Sequence, residues 1–198
     1  MTSTMPNGSA QAQAIACFDS PPMADLPQDI REQLLKTQTK VGFVPNVMLL
    51  LARRPPEFRA FMAYHDALMD GESGLSKAER EMIVVATSGA NHCLYCVVAH
   101  GAILRIRAKE ATIADKLATN YRQAALSVRQ QAMLDYAMKV SQQAAQLTAL
   151  DRQTAMDAGL SIEDLWDITS IAAFFAMSNR LASATALMPN AEFYSMGR

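Results

Sequence analysis

The sequence predicts an all-α domain, and three observations carry that prediction. Four Ser/Thr-x-x-acid/amide patterns precede amphipathic stretches, apolar residues recur at spacings of three and four, and two-residue alternation is not found. No internal repeat is evident. With 198 residues, of which 51% are hydrophobic, the chain can bury a sizeable core without staples. Its net charge of −1, with both signs mixed along its length, offers no basic field for nucleic acid.

Taken in order, residues 1–24 are rich in Ser, Gln, Ala, Pro and Gly and have no apolar period. They predict an extended or partly disordered arm that ends at Pro21, Pro22 and Pro27, with the all-α domain over 25–198. The arm lacks the basic start and apolar run of a signal peptide, so the expected location is cytoplasmic. Cys17 lies in the arm, either as a free thiol covered by local packing or on an arm that reaches a neighbouring subunit.

Pro55, Pro56 and Glu57 open "PPEFRAFMAYHDALMD", where Phe58, Phe61, Met62, His65, Leu68 and Met69 share one helical face before Gly71 and Gly74 stop it. His65 reads as a core or interface histidine with one hydrogen bond. Ser76 and Glu79 then form a capping box ahead of "MIVVAT", which is helix rather than strand because no turn signal precedes Gly89. Ser127 with Gln130, Thr148 with Asp151 and Ser161 with Asp164 mark three more helix starts. The last helix contains "ITSIAAFFAM", too short for the roughly 20 residues of a bilayer span, so no membrane partner is expected. Asn179 and Arg180 interrupt this apolar run, which predicts a helix end with Arg180 paired to a carboxylate.

The stretch "ANHCLYCVVAHG" concentrates the reactive residue types of a chain that has three cysteines and three histidines. Asn91 reads as the N-cap, His92 as the first and Cys93 as the second position of a helix. At about 100° per residue, Cys93, Cys96 and His100 fall within an arc of roughly 60°. A helix start beside Cys93 favours thiolate there, and His100, one turn after Cys96, can take that sulfur's proton.

Lowering a thiol pKa from about 8.5 to about 6.5 raises the thiolate fraction at pH 7 about 25-fold, but falling nucleophilicity takes back nearly tenfold. Ionisation alone therefore gives little. A peroxidase must also protonate its leaving alkoxide, which directs attention to a carboxylate near His100. Glu81 is the candidate, the alternative being a solvated carboxylate in the charged helix start "KAERE". Zinc lacks a fourth ligand unless His92, His65 or Cys17 supplies it, so no metal is expected. Haem attachment needs His directly after the second Cys, where Val97 stands. Structural thiols remain an alternative to redox chemistry.

Glu81-x11-Cys93-x-Tyr95-Cys96-x3-His100-Gly101, with "GFVPN" (42–46), "GLSKAERE" (74–81), "NR" (179–180) and "PNAEFYSMGR" (189–198), resembles the AhpD-like, carboxymuconolactone decarboxylase superfamily in its peroxidase-related branch. The resemblance implies an AhpD-like all-α fold with the CxxC at the start of a central helix. It also implies a thiol-dependent hydroperoxidase without a bound cofactor. On that resemblance Cys96 attacks the peroxide, Cys93 closes the disulfide, and Glu81 and His100 relay protons to Cys96 through water. The residue chemistry by itself favours Cys93 as the more acidic thiol.

Tyr95 stands where the best-known members carry His, and is a possible secondary site residue that donates to water or substrate. The implied partners are a small hydroperoxide, a thiol or dithiol reductant and further copies of the chain, as trimer or hexamer. Two alternative functions are a disulfide-exchange adaptor for a partner peroxiredoxin and a non-redox, lactone decarboxylase-like protein.

Overall fold

The computed structural model of the protein describes residues 14–198, which among them form helices and no strand. The helices are α1 (Gln28–Val41), α2 (Asn46–Leu51), α3 (Pro55–Asp70), α4 (Lys77–Ala90), α5 (Leu94–Ala108), α6 (Ile113–Asn120), α7 (Val128–Gln143), α8 (Ala149–Asp157) and α9 (Ile162–Ala184). All four capping boxes form, at the starts of α4, α7, α8 and α9. In each, a Ser or Thr oxygen accepts the third amide and that residue's side chain returns to the cap amide, which satisfies two helix-end donors.

At the centre is α4, whose residues from Arg80 to Ser88 are all buried. It packs on α5, α6, α7 and α9. The main core joins Ile83, Val84, Leu104, Leu117, Met133, Leu134, Ile168 and Phe175. Each such side chain removed from water contributes about 1.5–3 kcal/mol, so α4 is held from several sides. A second cluster gathers Phe43, Leu50, Cys93, Tyr95, Cys96, Ala99, Ala102, Ala182, Leu187 and Phe193.

Two segments singled out in the sequence close that second cluster. Asn46 donates from its amide to Asn190 Oδ1 at 2.8 Å and from Nδ2 to the Met188 carbonyl at 2.8 Å, while Asn190 Nδ2 donates to the Val44 carbonyl at 3.1 Å. The Phe43 and Phe193 rings meet edge to face at 4.9 Å. Of the arm expected over 1–24, residues 1–13 lie outside the described residues. Further along it, Met188 N donates to the Ile15 carbonyl and Cys17 N to the Thr185 carbonyl, both at 2.8 Å, which lays the chain along the end of α9. Cys17 is an exposed free thiol there.

Two expectations are corrected. Asn91 is the C-cap of α4 rather than an N-cap, and α5 starts at Leu94 with Cys93 as its cap. Burial holds α4 helical as far as Ala90, so the chain must reverse within Asn91, His92 and Cys93, and His92 takes a left-handed φ of 54° to do so. The second correction is that Asn179 and Arg180 do not end a helix, since α9 continues to Ala184. Buried polar partners satisfy Asn179 within the helix. Arg180 is exposed and donates to the Ala176 carbonyl at 2.6 Å, with no carboxylate partner among the described residues.

Candidate active site

The three charged residues "ERE" near the start of α4 point in three directions. Glu79 completes the capping box and accepts from Arg129 at 2.6 Å. Arg80, buried, donates to the carbonyls of Leu68 at 3.0 Å and Gly71 at 2.8 Å, so it ties down the end of α3. Glu81 points inward, toward α5, and is 2% exposed. The solvated alternative for Glu81 is thereby set aside.

A carboxylate buried to this degree needs charge-assisted partners. Glu81 Oε1 accepts from Arg107 Nη1 at 3.0 Å, and Oε2 meets His100 Nδ1 at 2.8 Å. Arg107 also donates to the Lys77 carbonyl at 3.3 Å and lies 3.7 Å from Asp70. A carboxylate held by a guanidinium can only accept, so Nδ1 of His100 carries the proton toward Glu81, and Nε2 of the neutral ring is left as a base. The His100 ring is mostly buried and packs edge to face on Phe175 at 4.7 Å, with the His65 ring 6.2 Å away.

The two sulfurs lie one and two turns before His100 on the same helical face. Cys93 and Cys96 are free thiols, 1% and 2% exposed. As the cap of α5, Cys93 accepts from the Cys96 amide with its sulfur at 3.5 Å. The Cys96 sulfur lies 3.9 Å from Ser178 Oγ. Donation from the Cys96 thiol and amide outweighs burial and lowers Cys93 to about 6, with Ser183 and Asn179 adding to the effect. The Cys96 thiol moves the other way, because it donates to Cys93 and is buried. The two thiols are thus pushed apart, Cys93 toward the thiolate and Cys96 toward the protonated form.

His100 makes no direct hydrogen bond to either sulfur among the described residues, so a proton passing between them needs a water or substrate oxygen. Tyr95, the possible secondary site residue, is buried in the second hydrophobic cluster. Its buried hydroxyl accepts from Val47 N at 3.2 Å, and burial raises its pKa. The described residues bring together no three His, Cys, Asp or Glu side chains placed to hold a metal ion. His92, one proposed fourth ligand, is exposed at the turn.

Three contributors were not identified from the sequence. Arg107 is 26 residues from Glu81 and looks like an ordinary charge near the end of α5. Ser178 precedes the "NR" dipeptide, where a serine in a helix gives no signal. Asn179 was noted for interrupting an apolar run. An amide inside an apolar helix was the available clue that something polar lies opposite.

Residues 55–119 match the carboxymuconolactone decarboxylase family. Two solved structures are similar over nearly the whole chain. A peroxidase-related protein with an alkylhydroperoxidase AhpD core, from Ralstonia eutropha JMP134, is 55% identical over 94% of this chain and 98% of its own, with a TM-score of 0.93. A peroxidase-related protein from Silicibacter sp. TM1040 is 42% identical over 96% of this chain and 100% of its own, with a TM-score of 0.90. The debrominase Bmp8, at 19% identity over 93% of this chain and 96% of its own, shares the fold with a TM-score of 0.75. No curated protein sequence matches the chain.

Proposed function

Since the chain belongs to the AhpD-like, peroxidase-related branch of the carboxymuconolactone decarboxylase superfamily, we propose that it is a thiol-dependent peroxidase of organic hydroperoxides. The observation that carries this reading is the 2.8 Å hydrogen bond between His100 and buried Glu81, on the helix that holds Cys96 one turn earlier. It gives a proton donor and acceptor beside a thiol, and a peroxide reduction needs both.

In the proposed cycle the His100 base takes the Cys96 proton through a bridging oxygen. The Cys96 thiolate attacks the distal peroxide oxygen and the O–O bond breaks. Sulfur keeps the hydroxyl as a sulfenic acid, and the departing alkoxide recovers the proton from His100 to leave as alcohol. Cys93 then attacks the Cys96 sulfenic acid and water leaves, forming the disulfide. A thiol or dithiol reductant supplies the two electrons that reopen it, and no bound cofactor is required.

A second order of events is favoured by the position of Cys93. Held as the thiolate at the helix start, Cys93 attacks the distal peroxide oxygen first and keeps the hydroxyl as a sulfenic acid, while the alkoxide takes a proton from His100 and leaves as alcohol. Cys96 then gives its proton to His100 and displaces the hydroxyl of Cys93, which takes that proton and leaves as water. The deciding experiment measures hydroperoxide consumption by the parent and by Cys93→Ser and Cys96→Ser, with sulfenic acid trapped and mapped after one turnover. The first order predicts the adduct on Cys96 and loss of turnover in Cys96→Ser; full turnover with both serine variants sinks the peroxidase reading.

Burial of both sulfurs favours a small oxidant over a partner protein's disulfide. Among the described residues no helix is long and apolar enough to cross a membrane. Self-association would use the outer stripe of α9, where Ile162 is 59%, Trp166 69%, Met177 49% and Leu181 39% exposed. Sedimentation of the parent and Trp166→Glu tests this, and a monomeric parent at micromolar concentration would remove it.

A further inference from the structure

We propose that His65 is the solvent-side entrance of the proton relay, exchanging protons between bulk water and His100. The Glu81–His100 pair has no open end at its carboxylate, because Glu81 is 2% exposed and its two oxygens are taken by Arg107 at 3.0 Å and His100 at 2.8 Å. Both sulfurs are as deeply buried as Glu81. Of the two imidazoles at the site, His65 is the more open, with 25% of its side chain exposed against 13% for His100.

His65 projects from α3 onto the same rings as His100. Its ring centre lies 6.2 Å from that of His100, and both pack on Phe175, at 6.3 Å and 4.7 Å. Rings whose centres are about 4.5–7 Å apart are in contact, so nothing separates the two imidazoles. Nδ1 of His65 lies 3.0 Å from Asp66 Oδ1, a carboxylate oxygen that accepts, which leaves Nε2 to exchange. Nε2 is likewise the free nitrogen of His100. Two hydrogen bonds of about 2.9 Å span about 5.8 Å, so one water between the ring edges can carry a proton from one imidazole to the other. The charged groups around His65 are Asp66 and Asp70 on its own helix and, on α5, Arg107, 3.7 Å from Asp70. From α9 it meets the uncharged rings of Phe174 and Phe175.

The redox cycle draws protons from water at two points. In the order that begins with a Cys93 thiolate, His100 gives the alkoxide a proton that the sulfurs do not return. When the disulfide reopens, the reductant's sulfurs attack as thiolates and leave their protons in water, and the one that returns to Cys96 has to come back from there. His65, a bridging water and His100 form the route.

The test uses the full chain in a Cys17→Ser background. The Cys93–Cys96 disulfide is formed with diamide, and its reopening by dithiothreitol is followed in stopped flow. His65→Gln keeps a polar side chain that cannot exchange protons, and His65→Ala leaves room for added imidazole. Both should reopen about tenfold more slowly than the parent in dilute buffer, less than the full worth of a positioned acid–base group because His100 keeps some contact with water. Added imidazole should restore His65→Ala and leave the parent unchanged. The rate of His65→Gln should climb with buffer concentration where that of the parent does not.

A folded His65→Gln or His65→Ala that reopens at the parent rate overturns the proposal. So does a slow His65→Ala that imidazole does not restore, because His65 would then only pack against His100. Should His65→Ala not fold, His65→Gln decides by its rate and buffer dependence. The inference rests on the peroxidase reading for the relay that His65 feeds. The reopening assay uses no hydroperoxide, so failure of the peroxide assay and failure of this test are separate results.

Discussion

Replacing Glu81 with Gln keeps the shape of the relay and reverses its direction. In the parent both carboxylate oxygens accept, one from Arg107 at 3.0 Å and one from His100 at 2.8 Å. Arg107 has only donors, so the new amide must keep its oxygen on Arg107 and turn its nitrogen to His100. Nδ1 then has to accept, and the ring proton moves to Nε2, the position that has to receive a proton from Cys96. Losing a positioned acid–base group costs about 10²–10⁴ in rate, and the Gln variant should lie in the lower half of that range because water can substitute in part.

The stability cost of this variant is smaller than that of an ordinary broken buried pair, about 3–5 kcal/mol, because Arg107 is 24% exposed and lies 3.7 Å from Asp70. We expect about 1–2 kcal/mol, or a fall in Tm of about 2–8 °C for a chain of this length. The assay is steady-state reduction of an organic hydroperoxide with a dithiol donor, with Tm measured on the same samples. A folded Glu81→Gln protein within about threefold of the parent kcat would refute the relay, since no acid–base group of this kind is worth so little.

Three further outcomes follow from the geometry. Tyr95→Phe removes the acceptor of the Val47 amide and should cost about 1–2 kcal/mol by urea unfolding while kcat stays within a few-fold, and a large kcat loss would return Tyr95 to the chemistry. Gly89→Ala would place a Cβ 2.5 Å from the Ala118 carbonyl oxygen and 2.9 Å from its Cα, so α4 and α6 must separate at a cost of about 1–3 kcal/mol, read as a lower urea midpoint. In reduced protein, one thiolate should appear with a midpoint about 6 and the other well above the ordinary thiol range.

That titration also sets how stability depends on pH. Between the midpoint at about 6 and the ordinary thiol value of 9.0, the unfolded pair binds one more proton than the native pair, so its contribution to stability rises with pH. Above that value the unfolded pair has lost both protons and the native pair only one, so the contribution falls. Cys93→Ser should abolish the rising limb in urea unfolding of the reduced protein.

The helix starts were legible because a capping box is local chemistry, complete within four residues. Ser76, Ser127, Thr148 and Ser161 all act as the sequence suggested. Asn91 was misread because an amide before a helix and an amide ending one look alike until burial of the preceding helix is known. The sulfurs and His100 could be placed on one face from their spacing, since 3.6 residues per turn leaves little freedom. Glu81 could be nominated, but whether it faced water or protein depended on where α5 lay. Arg107 and Ser178 came to the site through tertiary packing and carried no pattern.

The three-residue reversal through Asn91, His92 and Cys93 sets the phase between two rotors. Glu81 is fixed to one and the sulfurs with His100 to the other, so their meeting depends on how many residues separate the helices as much as on which residues those are. One residue inserted at the turn would advance α5 by about 100° and 1.5 Å, carrying His100 off Glu81 and both sulfurs off α9 while leaving every side chain of the site in place along the chain. Loop length here is as strict a requirement as any side chain, and a homologue with an extra residue between the carboxylate and the first cysteine would have to rebuild the relay from other groups.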